Sequence, residues 1–372
     1  LFVNQKNIDM AGGSGGCYTP KDKRTIQTYA TDVPMEVVRQ QAIFPSLLRR
    51  SSALIGNFDG MHRGHQQIIA EVRNRAEYLR RSVLLITFEP HPFQVLRPDA
   101  PPFRLLTASQ KSKMAERLGV DGLVELPFDQ QLCVMPARQF VADILVQRFG
   151  IADITVGRDF QFGHQRSGDV MLLEEMAAAG QYQVLPLEKL QAADLPISSS
   201  RIRMMLTAGE VREAAKLLGR PWSVQSQVIH GASRGRGLGY PTLNLALGQY
   251  LRPRLGVYAV WVRVAGVAVP LPGVANIGVR PTFAEDGNTN QLEPLCEVHV
   301  LAPTSKTASL EQPGSSASGP LFDHFYGQMV EVYLIDFLRD ERRFDDATAL
   351  QQQIQQDCIK ADAVLGLNPL PL

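Results

Sequence analysis

LIGNFDGMHRGHQQII, residues 54–69, sets two histidines three apart among three glycines, between an apolar run and a helical pattern. A segment built only for packing has no need of that turn. The apolar run before it reads as a buried strand, and the residues after it as an amphipathic helix starting near His65. The same alternation continues to about residue 190. SALIGNF, SVLLITF, GLVEL, ADITVG and YQVLPL read as strands, with helical spacing in HQQIIAEVRNRAEYLRR, ASQKSKMAERLG and PARQFVADILVQRFG. Alternating β and α segments predict an α/β doubly wound parallel sheet. Ligands of such sheets bind beyond the carboxyl ends of the strands, and the motif directly follows one of those ends.

After ISSSRIRMMLTAGEVREAAKLLGRPW, which reads as one or two helices, the texture changes. Short strands follow at close intervals from 222 to 338: SVQSQVIHG, GVYAVWVRV, VAVPLPGVANIG, CEVHVL and MVEVYLIDFL. Gly and Pro turns separate them, which predicts a small antiparallel β-barrel or sandwich. A final helix is expected over DDATALQQQIQQDCIKADAVLG. The domain boundary is placed near 205–220, giving units of 35–205 and 206–368. Residues 1–34 are polar and Gly-rich and are read as a disordered or non-native extension. The Ser/Gly/Pro-rich stretch 302–320 is expected to be a flexible insertion.

Composition narrows the partners. Of 372 residues, 45% are hydrophobic and 20% charged, a globular mixture, and the net charge of +1 points to neither nucleic acid nor an acidic membrane. No apolar run approaches the ~20 residues of a membrane span. Cys17, Cys133, Cys296 and Cys358 form no CxxC pair, which fits a reducing, cytoplasmic setting. Small-molecule substrates are the expected partners, with the chain a monomer or weak oligomer.

Within the opening stretch, Gly56, Gly60 and Gly64 let backbone turn sharply and approach a ligand. A helix start offers unpaired N–H groups to an anion. His62 and His65 then supply donors to phosphate oxygens, stabilising charge that develops in a transition state. On spacing alone three readings stay open: phosphate chemistry, a structural turn, and a metal site lacking its third ligand.

Downstream segments weigh toward the first. TFEPHP (87–92) ends the next strand, VGRDFQFGHQRSGD (156–169) follows another, and ISSSRIR (197–203) sets three hydroxyls and two arginines at a helix start. Ser198 to Ser200 read equally well as plain helix caps. Arg201 or Arg203 is placed to neutralise a pyrophosphate leaving group. All of these lie at strand ends on one edge of the predicted sheet.

IGNFDGMHRGH, with its HxGH core, resembles the signature of the nucleotidyltransferase superfamily. With TFEPHP, VGRDFQFG and ISSSRIR it is similar to the bacterial bifunctional riboflavin kinase/FAD synthetase family, from about Met35 to the last helix. The resemblance implies a Rossmann-like nucleotidyltransferase domain that adenylylates FMN with ATP and releases pyrophosphate, without a covalent enzyme intermediate. It implies that His62 and His65 contact the ATP phosphates and that Ser198, Ser199 and Arg203 hold the triphosphate. It places Gly56, Phe58, Asp59, Gly60 and Arg201 around the nucleotide. Asp159, where some members carry asparagine, joins them with the least defined role.

The second unit carries GASRGRGLGYPTLNL (231–245). Its Gly/Arg loop is suited to folding around phosphates, with Arg234 and Arg236 supplying charge. Thr242 and Asn244 alternate along a predicted strand, so both face one side and can offer oxygen to Mg²⁺. Glu297 is a lone carboxylate in CEVHVL and is read either as an outward-facing strand residue or as a general base. These segments resemble the same family's kinase loop, with Gly235, Arg236 and Gly239 around the nucleotide. The resemblance further implies a PTxN pair holding Mg²⁺–ATP, and Glu297 as base toward the riboflavin 5′-hydroxyl. It departs from the family at 302–320, next to the proposed base. Competing readings are an adenylyltransferase whose barrel is reduced to a flavin-binding or docking module, a flavin or nucleotide sensor without turnover, and an adenylyltransferase for another nucleotide.

Overall fold

The computed structural model describes residues 34–39, 43–187, 191–192, 195–230, 240–281, 292–301 and 325–370. The expectations for the N-terminal extension, the Gly/Arg loop 231–239 and the insertion 302–320 concern residues outside these.

Six strands form the first sheet: β1 (Glu36–Val38), β2 (Ser52–Ile55), β3 (Val83–Phe88), β4 (Gly122–Leu126), β5 (Asp153–Gly157) and β6 (Gln183–Leu187), in the order β1-β4-β3-β2-β5-β6. All neighbours pair in parallel. The four inner strands β4, β3, β2 and β5 are buried along almost their whole length because both faces are covered. Ala53, Ile55, Leu84 and Ile86 enter one core, and Leu54, Val83 and Leu85 the other. Helix α1 (Arg63–Tyr78) buries Ile69, Val72 and Ala76 against the second face, beside α3 (Ala108–Arg117), which follows the short α2 (Pro92–Leu96). On the first face lie α4 (Gln130–Val134), α5 (Ala137–Gln139) and α6 (Val170–Ala177). Where the sequence predicts one helix over PARQFVADILVQRFG, the chain passes from α5 into a π-helix, Phe140–Arg148. Its wider turn brings Phe140, Val141, Leu145 and Phe149 together into the core.

Strand order reverses at β2. From β2 the chain steps outward to β3 and β4, then crosses back to lay β5 on the other side. The crevice at that switch point opens at the carboxyl ends of β2 and β5, where GNFDGMHRGH and GRDFQFG follow. At the opposite end, Asp153 is buried and bonded to Arg75, Arg81 and Ser52 Oγ, which pins β5 to β2 and α1.

After the two-residue strands β7 (Gln191–Ala192) and β8 (Leu195–Pro196) come α7 (Ser199–Ala208) and α8 (Val211–Leu218), each ended by a left-handed glycine, Gly209 and Gly219. Then follow β9 (Trp222–Ile229), β10 (Leu243–Ala246), β11 (Gly256–Val264), β12 (Leu271–Pro281), β13 (Leu292–Val300) and β14 (Met329–Arg339). They close into an antiparallel barrel ordered β10-β13-β12-β11-β14-β9. The last helix, α9 (Ala347–Leu367), is capped by Asp346 and buries Ala361 and Leu365 against Val257, Val274 and Ile335 on the barrel's outer wall. Ile202, Leu206, Val211, Ala214 and Leu217 of α7 and α8 share one core with the barrel strands.

Candidate active sites

Helix α1 starts at Arg63, two residues earlier than the sequence predicts, because His62 is its N-cap. The His62 Nδ1 accepts the His65 backbone N–H at 3.3 Å. In the neutral ring the proton must then sit on Nε2, leaving that atom a donor. Burial lowers the His62 pKa to about 4, with the Arg220 charge acting in the same direction, and the imidazole is neutral at physiological pH. Burial and His62 itself push His65 well below its ordinary range. The two rings stack 3.7 Å apart at 13°, and Phe58 meets His65 edge-on.

The backbone leading into this cap is tightly wound. Phe58, Gly60 and Met61 all have positive φ, at 47°, 85° and 41°. Only Gly60 adopts this region without strain, and a Cβ there would also meet Leu105 Cδ1 at 2.9 Å. Gly64 has a different reason: a Cβ would press on the His62 ring at 3.1 Å. Gly56 likewise lies under the Phe58 ring, 3.3 Å from where its Cβ would be.

Asp59 is buried, and its carboxylate accepts from the Leu105 and Leu106 N–H groups and from the Arg203 guanidinium. Arg203 also donates Nε to the Phe103 carbonyl. These bonds tie the motif to α7, whose Ser199 Oγ donates to the Asp59 carbonyl at 2.7 Å. Ser198 caps α7 by accepting the Arg201 N–H. The Ile197 carbonyl lies beside Gly64, so the amino ends of α1 and α7 meet at the switch-point crevice. Arg201 is half-buried in the first turn of α7, and Asp159 is exposed on the turn after β5.

Sequence reading missed Lys111, and it singled out TFEPHP without assigning Glu89 or His91 individually. Lys111 of α3 is buried and donates to Thr87 Oγ1 at 2.9 Å and the Asn57 carbonyl at 3.0 Å, with burial lowering its pKa to about 8. Glu89 of TFEPHP is held by both Arg104 Nη atoms at 2.6 Å. His91 caps α2 through Nδ1, and burial lowers its pKa to about 3. Lys111 sits in a helical pattern as an ordinary polar residue, so nothing local distinguishes it.

In the barrel, Asn244 on β10 stands opposite Glu297 on β13, and Glu297 opposite Asn276 on β12. Their neighbours Leu243, Leu245, Cys296, Val298, Ala275 and Ile277 fill the core, so the three polar residues share the outer face. Glu297 is half-buried there. Thr242 falls just before β10 rather than within it, and its carbonyl accepts from Asn244 Nδ2. Asn244 is buried, and its Oδ1 has no hydrogen-bond partner, an orphaned acceptor of the kind a hard cation satisfies. His299, two residues beyond Glu297, meets the Pro241 carbonyl at 2.9 Å and steadies the approach to the Thr242–Asn244 segment. Asn276 was not flagged from the sequence; only the strand register brings it beside Glu297. Gly235, Arg236 and Gly239 fall in the loop outside the described residues. Among the described residues no group of three or more His, Cys, Asp or Glu side chains is arranged to hold a metal ion.

A parallel sheet with a histidine-capped helix at its switch point, joined to a barrel with an Asn–Glu pair on its wall, defines a two-site transferase acting on nucleotide phosphates. Residues 45–201 match the family described as FAD synthetase, and residues 218–365 the one described as riboflavin kinase. A bifunctional riboflavin kinase/FMN adenylyltransferase of Escherichia coli (strain K12) is 33% identical over 84% of this chain and 92% of its own length. A Pseudomonas fluorescens protein of the same description is 37% identical over 84% and 92%. A solved structure described as a macrolide-efflux protein from Streptococcus pneumoniae superposes with a TM-score of 0.70 at 28% identity, covering 90% of this chain and 99% of that one. That likeness lies in the path of the two chains. No described helix is long and apolar enough to cross a membrane. The chain belongs to the bifunctional riboflavin kinase/FMN adenylyltransferase family.

Proposed function

We propose that residues 35–205 carry FMN adenylylation and residues 206–368 riboflavin phosphorylation, each at the site described above. As a member of the family, the chain converts riboflavin to FMN with ATP, then FMN to FAD with a second ATP and release of pyrophosphate. Matches to both families favour this over an adenylyltransferase with a silent barrel.

In adenylylation an FMN phosphate oxygen attacks the α-phosphorus of ATP, and the bond to the bridging oxygen of pyrophosphate breaks. Charge grows on the leaving oxygens. The amino ends of α1 and α7, the Nε2–H of His62, and His65 are suited to take up that charge, being held by the helix caps already described. Ser198, Ser199, Arg201 and Arg203 complete the cradle, with Arg203 oriented by Asp59.

In phosphorylation Glu297 takes the 5′-hydroxyl proton of riboflavin as its oxygen attacks the γ-phosphorus, and ADP leaves. Asn244 Oδ1, an orphaned buried acceptor, and the Thr242 hydroxyl are suited to hold Mg²⁺, which when bound neutralises the ATP phosphates. The chain is proposed to act in the cytoplasm as a monomer or weak oligomer.

The observation that carries the kinase assignment is the register pairing of Asn244 with Glu297, which joins a cation ligand to a base across 53 residues of chain. Glu297→Gln tests it. FMN formation from riboflavin should fall by about 100-fold or more, while FAD formation from supplied FMN continues. Unimpaired FMN formation would remove Glu297 from the role of base.

A further inference from the structure

The adenylylation loop is not closed by its own unit. The FAD synthetase match ends at residue 201, and Arg220 lies 19 residues further on, inside the riboflavin kinase match. Yet Arg220 Nη2 donates to the Gly60 carbonyl at 2.9 Å, and Nη1 reaches the Met61 and Leu218 carbonyls at 3.4 and 3.3 Å. Gly60 and Met61 are two of the three left-handed residues that turn the chain into the His62 cap. Left-handed backbone at a non-glycine residue such as Met61 is strained and persists only where its surroundings hold it. Arg220 is the charged group that does so here. Burial lowers its pKa to about 10, and it remains cationic at neutral pH. Gln66 Nε2 spans the same joint, from the Met61 carbonyl to that of Leu218. One residue past Pro221, Trp222 Nε1 donates to the Leu105 carbonyl, and Leu105 N–H in turn binds Asp59. The motif is thus held from the barrel side at both Asp59 and Gly60–Met61.

Resting on the adenylyltransferase reading, we propose that Arg220, supplied from the kinase side of the chain, is a positioning residue of the adenylyl-transfer site, fixing the Gly60–Met61 turn so that His62 Nε2 faces the ATP phosphates. It touches no substrate and acts through the backbone that carries His62. A displacement of about 1 Å at such a group can lower a rate 100-fold, and that loss falls on turnover rather than on nucleotide affinity. The neighbouring kinase chemistry at Glu297 uses none of these groups.

The test uses the full chain as Arg220→Met and Arg220→Lys, with both reactions measured on the same preparation. Arg220→Met should lower kcat for FAD formation from FMN by about 10- to 100-fold. The KM for ATP should change much less, and FMN formation from riboflavin should stay within about twofold of the parent. Arg220→Lys keeps the charge and one carbonyl bond, so it should recover part of the lost kcat. Adenylyl transfer unchanged in Arg220→Met, or falling only in step with FMN formation, would overturn the proposal. A parent chain that makes FMN but no FAD would instead sink the adenylyltransferase reading on which it rests.

Discussion

At the scale of single residues, the histidines owe their chemistry to being kept uncharged. His62 titrates at about 4 because burial penalises its cation. An unfolded chain takes up that proton near pH 6.5, so the unfolded form binds more protons between about 6.5 and 4. Stability is therefore full above pH 6.5 and is lost as pH falls through that window, by roughly 3 kcal/mol for His62 alone. His65 and His91 shift in the same direction and add to it. His62→Gln should show a smaller loss of unfolding free energy between pH 7 and 4.5 than the parent, measured by urea titration, together with impaired FAD formation. An unchanged slope would mean that His62 takes up its proton at the same pH in the folded and unfolded chain, with no lowering by burial. The histidine pair and its glycines were legible in the sequence because HxGH after an apolar strand is rare punctuation. Arg220, Lys111 and Asn276 were not, because each acquires its role from a partner supplied by another part of the fold: the Gly60 and Met61 carbonyls, the Thr87 hydroxyl and the neighbouring strand residue Glu297.

At the scale of elements, the strands and most helices followed from periodicity, and their exceptions have local causes. The helix after Pro136 was legible but its π register was not, because spacing of apolar residues does not distinguish a widened turn from a regular one. Helix α9 was legible from its Asp346 cap, while its attachment was not. Arg339 of β14 donates Nε and Nη2 to Asp357 of α9, and Gln353 adds a third donor. The Asp357 side chain is 2% exposed and that of Arg339 12%, so removing one partner strands a buried charge. Asp357→Ala should therefore destabilise the protein by about 3–5 kcal/mol, read as a lowered midpoint in urea. A change below about 1 kcal/mol would show that the pair is solvated and that apolar contacts alone hold α9 to the barrel.

At the scale of the whole molecule, two composition textures in the sequence announced a parallel sheet and a barrel, and both are present. How they join could not be read, since the joint is made of bonds between distant segments. Gln110 of α3 donates to Ser223 and Glu331, and its Oε1 accepts the Tyr250 hydroxyl proton at 2.6 Å. Beside it the Arg104 N–H donates to the Gln249 carbonyl at 3.2 Å, and the Leu251 N–H donates to the Arg104 carbonyl at 2.9 Å. The strap 103–106 thus touches Asp59 and Arg203 on one side and the barrel on the other. Both sites accordingly share one framework, and both are proposed to turn over on it. The most direct measurement incubates the full chain with riboflavin, ATP and Mg²⁺ and follows the flavins by chromatography with fluorescence detection. FMN should appear first and FAD after it. No FAD from riboflavin, and none when FMN itself is supplied, would contradict the claim at His62 and His65.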